Sequence, residues 1–571
     1  MPPSVKPVKP QPERKLKDQV PLFDCFTAPC THGCPIHQDI PQYIELVGKG
    51  DCGGALKLIV EKNPLPFITG TICPHRCADK CTRHFYEESI RIRRAKLTAA
   101  ENGLDALLKS LNPAEPNGKK VAVIGGGPAG LAAAFFLARQ GASVTLFEKR
   151  EKLGGIVRYV IPEFRIGSDA IDNDETILRA MGVEIRTNTP APKADALFAE
   201  DYTDIVYAIG AWAEGKMKLE AGEAMNVIRF LEESKAGTLG DLGENVIVIG
   251  GGNTAMDAAR AAKRAKGVKN VRLVYRRTAK QMPADEEELE LAKEDGVVFC
   301  ELLAPVALEN GTLLCNVMRL GEPDESGRRS PVETGEQVKL PCDTLIAAVG
   351  EKVETAIFAE NGVALDARGR VQTDANLRTS REHVYVIGDA SRGPATVVEG
   401  IRDARTVADA IVGTYAYAIP EAAQTTEAAC FAKQGILKDY EQAEKERERC
   451  LNCGTVCECC VQVCPNRANV AIRVPRKKLP QILHVDRMCN ECGNCLVFCP
   501  YASRPYKEKW TVFSTETEFD GSTNDGFIKR ADGYKVRLFG VAKVMHDLSA
   551  LPEGVQSVIK TIEEKYPYLL G

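Results

Sequence analysis

The chain has 571 residues, 44% hydrophobic and 27% charged, with a formal net charge of −4. That length exceeds one hydrophobic core and predicts three or four domains, and the weak charge balance gives no reason to expect a nucleic-acid partner. No apolar run of spanning length survives the glycines and charges, and the start MPPSVKPVKPQPERKLKDQ has no apolar signal region. A cytoplasmic protein without a membrane partner is therefore expected.

Cysteine is the unusual residue: of 21, seven lie before residue 82, ten lie between 450 and 499, and Cys300, Cys315, Cys342 and Cys430 are scattered. Clusters of this kind in a chain without an export signal predict metal or iron–sulfur ligation rather than disulfides. The scattered four read as ordinary core or surface thiols.

Residues 1–20 read as a Pro- and Lys-rich tail, and 21–112 as a helical iron–sulfur domain. That segment carries Cys25-x4-Cys30-x3-Cys34-Pro35, Cys52 and Cys73-x3-Cys77-x3-Cys81, with His32, His37, His75 and His84. Thiolates recurring every three to five residues can converge on a [4Fe–4S] cube. Zinc and plain buried thiols are the competing readings.

Residues 113–212 form the first half of an FAD domain. The strand Val121–Ile124 meets glycines at Gly125, Gly127 and Gly130, an alanine-rich helix stops at Gly141, and a second strand ends on Glu148. This βαβ pattern places a pyrophosphate at a helix N-terminus and a carboxylate at a ribose. Gly155 continues the unit, and at Val384–Asp389 a second strand delivers Gly388 and Asp389 toward the same flavin. Between the halves, residues 213–350 repeat the fingerprint with Gly250, Gly252, Asn253, Thr254 and Ala255. Its second strand ends on Arg276 and Arg277, and guanidinium groups there favour a 2′-phosphate, hence NADPH. Residues 351–412 return to the FAD domain, and 413–446 read as a helical linker.

A two-cluster ferredoxin-like α+β domain is expected at 447–510, with a C-terminal extension at 511–571. Its runs are Cys453-x3-Cys457-x2-Cys460-x3-Cys464-Pro465 and Cys489-x2-Cys492-x2-Cys495-x3-Cys499-Pro500. In such ferredoxins the fourth Cys of each run ligates the other cluster. That assigns Cys453, Cys457, Cys460 and Cys499 to one [4Fe–4S] centre, and Cys489, Cys492, Cys495 and Cys464 to the other. Cys450 and Cys459 are extra, and Cys450 can compete for the Cys453 position. The fold class is thus multidomain α/β, with an NADPH domain inserted into an FAD domain and iron–sulfur domains at both ends.

This order resembles the small subunit of bacterial glutamate synthase and the matching part of dihydropyrimidine dehydrogenase. The resemblance rests on Cys30-x3-Cys34-Pro35, Gly125–Gly130, Ile161-Pro162, Gly250–Asp257, Tyr275-Arg276-Arg277, Met282-Pro283 and Gly388-Asp389. Through Cys464–Val470 and Met488–Cys495 the chain also resembles the selenate reductase subunit family associated with bacterial purine catabolism. Members of that family are larger, with an additional N-terminal domain beyond the part that this sequence resembles. By resemblance, one N-terminal cluster uses Cys25, Cys30 and Cys81 and the other Cys34, Cys73 and Cys77. Each is short of a fourth ligand unless Cys52, a histidine or another side chain supplies it, because Leu22 and Lys96 stand where that pattern has ligands.

The resulting expectation is an NADPH-dependent FAD and iron–sulfur oxidoreductase subunit without a nucleophile or catalytic dyad of its own. Resemblance implies a flavin- or molybdenum-dependent partner that reduces a purine-type heterocycle or an oxyanion. The alternative is an electron-wiring adaptor with a silent nicotinamide site, fed by a partner hydroxylase. A disulfide reductase is disfavoured, since the NADPH domain has no Cys-x2-Cys.

Overall fold

A computed structural model of the chain describes residues 28–85, 88–215, 217–324, 329–417, 432–433, 442–452, 458–475, 480–499 and 503–571. The tail at 1–20, Cys25, Cys430, Cys453, Cys457 and most of the linker at 413–446 lie outside the described residues. Two compact bodies divide the chain. One comprises the described parts of Met1–Gly50, His75–Ile92 and Ile419–Gly571; the other comprises Asp51–Pro74 and Arg93–Ala418. Among the described residues no helix is long and apolar enough to cross a membrane.

The second body holds two parallel five-stranded sheets. In the first, the strands run Val384–Val386, Asp204–Tyr207, Lys120–Ile124, Ser143–Phe147 and Glu184–Arg186 across the sheet. The chain leaves Lys120–Ile124 toward one edge and later returns to its other side, which places a crevice beyond Ile124. Val121, Ala122, Val123 and Ile124 are all buried, as a strand covered on both faces requires. The helix Pro128–Arg139 lies over them, with Pro at its first turn and Ala132, Ala133 and Ala134 buried for close packing. The returning helix Val397–Val412 starts on a capping box of Thr396 and Glu399.

The second sheet has the order Met225–Asn226, Thr344–Ala347, Asn245–Ile249, Asn270–Tyr275, Val298–Glu301. It forms inside the chain segment that interrupts the first sheet, as an inserted domain would. Between its last two strands in sequence, Leu303–Glu309, Thr312–Pro323 and Arg329–Pro341 form an antiparallel sheet that the sequence pattern did not announce. Cys315, on its middle strand, and Cys342 are buried with Ile247 and Leu345, and burial pushes these thiols up to about 12 and about 11. They are core residues.

In the first body the helices Pro29–Gly33, Ile40–Gly48 and Arg76–Asp79 surround the first cysteines. The predicted helical segment 21–112 has no strand among its described residues and is shared between the two bodies. Further on, one six-stranded sheet runs Asn469–Ile472, Gln481–Val485, Trp510–Phe513, Gly526–Arg530, Gly533–Leu538, Val541–Met545. The expected boundary at 510/511 falls inside its third strand, where Leu483 pairs with Trp510. Two strands alone cannot bury a face. Trp510, Val512 and Phe527, together with Val555, Val558, Ile559 and Ile562 of the helix Glu553–Lys565, supply the cover in one core.

Candidate functional site

At the end of Lys120–Ile124, Gly125 turns with φ +108°, and a Cβ on Gly130 would lie 1.9 Å from the Gly125 carbonyl oxygen. Helix and loop are thus packed at contact. Gly127 caps the helix with an ordinary extended backbone (φ −76°, ψ 176°), and a Cβ there would meet nothing closer than Gly155 Cα at 3.9 Å. The loop therefore keeps an open cradle above the unsatisfied N–H groups of the helix N-terminus. Glu148 is buried; its Oε2 accepts from the Gly126 N–H (2.7 Å) and its Oε1 from the Arg150 N–H (2.8 Å). Each oxygen retains a lone pair for a ribose hydroxyl.

The chain's return brings Gly388 and Asp389 to the same helix. Ideal Cβ atoms on Gly388 and Gly400 would lie 2.8 and 3.3 Å from Ala129 Cβ, one residue into that helix's first turn. The Gly388 N–H donates to Asp403 Oδ2 (3.1 Å), and Arg392 pairs with the same carboxylate. Asp389 Oδ1 accepts from the Ala395 N–H (3.0 Å), and burial lifts its carboxyl to about 7. Gly125, Gly127, Gly130, Glu148, Gly155, Gly388 and Asp389 are thus gathered around one crevice whose shape and donors fit FAD.

The second cradle repeats the device. Gly252 caps the helix Asn253–Arg264, and a Cβ there would meet nothing within 4 Å; one on Gly250 would lie 2.5 Å from the Ala348 carbonyl oxygen. Ala255 is buried beneath the turn, Thr254 is half-buried and Asn253 is exposed. Asn253 is braced by Asp285, whose N–H donates to Asn253 Oδ1 (2.9 Å) while Asn253 Nδ2 donates to Asp285 Oδ2 (3.1 Å). The paired arginines part company. Arg276 is exposed at the strand end, whereas Arg277 is buried and its Nε donates to the Arg329 carbonyl (3.1 Å). Of the two, only Arg276 keeps the exposure that a 2′-phosphate contact would need.

A buried charge network joins the two cradles' elements, and sequence reading did not find it. Arg165, just after Ile161-Pro162, pairs with Asp257 (2.7 Å) and Glu288 (2.8 Å), and Arg260 reaches Asp295 (2.7 Å). Burial opposes the Arg165 charge, but the two carboxylates outweigh it and hold its proton more firmly. The only available signal was Asp257 at the end of GGGNTAMD, which carries no spacing rule for its partner.

In the first body Cys464, Cys489, Cys492 and Cys495 line one pocket, with Gly493 and Tyr506. Backbone N–H groups already point at two of these sulfurs: Ala468 at Cys464 Sγ (3.2 Å) and Glu491 at Cys489 Sγ (3.3 Å). Four thiols with N–H···S donors are the donor set of a [4Fe–4S] cluster. Cys460 packs with Cys495 and Ile482, and Cys459 donates to the Phe498 carbonyl (3.2 Å) beside Cys499. With Cys453 and Cys457 outside the described residues, Cys460 and Cys499 are what can be placed of the other set. Among the described residues no three His, Cys, Asp or Glu side chains are gathered tightly enough for a single metal ion.

At the N-terminal end Cys30 and Cys81 line a second, apolar pocket, together with Cys450. Cys34 is buried and accepts from Gln38 Nε2 (3.9 Å); Cys77 is half-buried in Arg76–Asp79. Cys73 follows Pro66–Ile72 in the second body, where its carbonyl accepts from Arg93 (3.1 Å). Cys52 opens the helix Cys52–Val60 of that body. The histidines have other contacts: His32 stacks on His37 and His84 faces Ser89. Lys96 is buried, and its charge acts on Asp174, whose carboxylate accepts from the Phe67 and Ile68 N–H groups.

Comparison with known proteins agrees with these two kinds of site. Residues 119–404 match the family model described as "Pyridine nucleotide-disulphide oxidoreductase", and residues 12–105 match "Dihydropyrimidine dehydrogenase domain II, 4Fe-4S cluster". The "Putative oxidoreductase YgfK" of Escherichia coli K12 is 41% identical over 591 residues, which cover 99% of this chain and 57% of that protein. The chain thus spans a little over half the length of such a relative. The NADP(+)-dependent formate dehydrogenase subunit beta of Moorella thermoacetica is 34% identical (67% of this chain, 59% of that protein). The glutamate synthase [NADPH] small chain of E. coli K12 is 30% identical (68% of this chain, 89% of that protein). With two glycine cradles in the matched segment and thiol pockets outside it, the chain belongs to the pyridine nucleotide-disulphide oxidoreductase family, and its cofactors are FAD, NADPH and 4Fe–4S iron–sulfur.

Proposed function

We propose that the chain is an electron-input subunit that takes electrons from NADPH and delivers them, through FAD and [4Fe–4S] clusters, to a catalytic partner subunit in the cytoplasm. The observation that carries this reading is the pairing, in one chain, of two nucleotide cradles with the four-thiol pocket of Cys464, Cys489, Cys492 and Cys495. Bound FAD would supply the conversion of a hydride pair into single electrons, the form that iron–sulfur clusters carry. The chain's own residues bind and orient. Glu148 holds the loop over the first cradle, and Asn253 and Asp285 brace the second. Arg276 selects the phosphorylated nicotinamide nucleotide. The N–H donors on Cys464 and Cys489 stabilise negative charge on the sulfurs and so tune potential.

The relatives named as subunits of formate dehydrogenase and glutamate synthase support a partner that holds the substrate. The resemblance at Cys464–Val470 and Met488–Cys495 makes a purine-type heterocycle or an oxyanion the substrate to try first. Anaerobic titration with NADPH, and with NADH in parallel, tests the reading: flavin absorbance should bleach and cluster EPR signals should follow. If neither nucleotide bleaches the flavin while dithionite reduces every centre, the nicotinamide site is silent and the chain is a wiring adaptor fed by its partner.

A further inference from the structure

The N-terminal thiols resemble an iron–sulfur set that is one ligand short, and the structure offers a candidate from the far end of the chain. Cys30 is the second residue of the helix Pro29–Gly33, Cys81 follows Arg76–Asp79, and Cys450 follows the helix Glu446–Arg449; all three line one pocket walled by Ile40, Ile44 and Ile90. We propose that Cys450 is a ligand of the N-terminal iron–sulfur cluster, joining Cys30 and Cys81. The proposal rests on the iron–sulfur reading of this end of the chain and adds the identity of its missing thiolate.

The backbone is built to hold Cys450 there. Arg83, two residues after Cys81, is fully buried; its Nε donates to the Arg449 carbonyl (2.5 Å) and its Nη2 to the Lys433 carbonyl. Arg449 reciprocates, donating to the Glu88 carbonyl (2.5 Å) and pairing with buried Glu446 (3.0 Å). Arg447 binds Glu45 on Ile40–Gly48 (2.9 Å). The peptide on each side of Cys450 is pinned as well, since Lys433 Nζ donates to the Cys450 carbonyl (2.9 Å). Two buried arginines, each clamping the other's strand of chain, fix the Cys81 and Cys450 segments to each other. The Cys450 thiol itself makes a long contact to Asn452 Oδ1 (3.7 Å), weak even for a sulfur donor.

This placement resolves the rivalry for the first ferredoxin position. Cys450 belongs with Cys30 and Cys81, which leaves Cys453 to the ferredoxin pair. It also ties two clusters together covalently. Three residues of extended chain span at most about 11 Å, so a ligand of the N-terminal cluster and a ligand of a ferredoxin cluster are never farther apart than that along the backbone. Electrons have a short route between the ends of the sequence.

The test is iron and acid-labile sulfide content of the anaerobically purified full chain, with EPR of the dithionite-reduced protein. Cys450→Ser and Cys30→Ser should each lose about four irons, and the double variant should lose no more than either, because one cluster is removed in all three. Cys459→Ser should keep the full complement. FAD stoichiometry, which reports on the second body, should stay at the wild-type value throughout. Cys450→Asp, which keeps an anionic ligand, should retain iron and change the EPR signature of one cluster; it decides the matter if the serine variant does not accumulate. Full iron in Cys450→Ser beside loss in Cys30→Ser would overturn the ligand assignment while leaving the cluster in place. Losses that add to about eight in the double variant would put Cys450 on a different cluster and overturn it too. No loss in either single variant would remove the N-terminal cluster, and the assignment with it.

Discussion

The divergence of Arg276 and Arg277 gives a sharp prediction about nucleotide choice. Both stand where a 2′-phosphate would be read, but Arg277 is committed to the Arg329 carbonyl and only Arg276 is exposed. A hydrogen bond to a charged group contributes about 1.5–3 kcal/mol, and solvent exposure of Arg276 trims this to about 1–2 kcal/mol. That range is a factor of about 5–30 in affinity. Arg276→Ala should therefore raise the NADPH KM by that factor and leave the NADH KM unchanged, with the gap narrowing at high salt. Stopped-flow flavin reduction with each nucleotide measures it. Arg277→Ala should instead lower stability and affect both nucleotides alike. An NADPH-specific loss in Arg277→Ala, or an equal loss for both nucleotides in Arg276→Ala, would refute the reasoning.

Filling the first cradle should separate folding from flavin binding. Gly127→Ala keeps an allowed backbone and meets no clash, so flavin content should fall while the flavin-free protein melts as before; Gly130→Ala drives a methyl into the Gly125 carbonyl oxygen and should lower the melting temperature itself. Arg165→Ala strands Asp257 and Glu288 and should cost about 3–5 kcal/mol in urea denaturation; wild-type stability would show that the network does not hold the two cradles. Burial raises Asp389 to about 7 from about 3.9 in an unfolded chain, so the native state binds its proton more tightly and the associated stability, complete below about pH 4, is lost as pH rises through 7. Asp389→Asn should accordingly raise the melting temperature of flavin-free protein at pH 8 and barely change it at pH 4; equal shifts at both would refute this account.

What the sequence made legible was chemistry written in short intervals. Gly125, Gly127 and Gly130 sit within six residues because one turn must do three jobs, and Cys489, Cys492 and Cys495 recur every third residue because one loop brings all three to the same pocket. Features that depend on distant residues were not legible. Nothing near Arg277 announces that Arg329 will claim it, and nothing near Arg165 announces Glu288. The polar hairpin Thr312–Pro323 and Arg329–Pro341 exposes most of its second strand, so it carries little hydrophobic alternation to detect. The expected boundary at 510/511 divides a strand for a related reason: Trp510 pairs with Leu483 and extends the same sheet, a pairing that nothing near either residue announces.

One chain with two similar cradles must keep two nucleotides from exchanging places, and on the proposed assignment the strand ends would supply the difference. At the first cradle Glu148 is buried and fixed by two N–H groups. A 2′-phosphate brought beside it would set like charges together in a poorly solvated crevice, while the unphosphorylated ribose of FAD brings hydroxyl donors that a carboxylate accepts. At the second cradle the exposed Arg276, on the proposed assignment, would reverse the preference. Specificity is a difference of affinities, and on this assignment the first cradle would gain its part by repelling the wrong nucleotide and the second by attracting the right one. Glu148→Gln should therefore weaken FAD retention less than it relaxes the exclusion of NADPH: excess NADPH should slow flavin rebinding to the flavin-free variant and leave rebinding to the flavin-free wild type unaffected. Equal competition in both proteins would show that charge at the strand end does not sort the nucleotides.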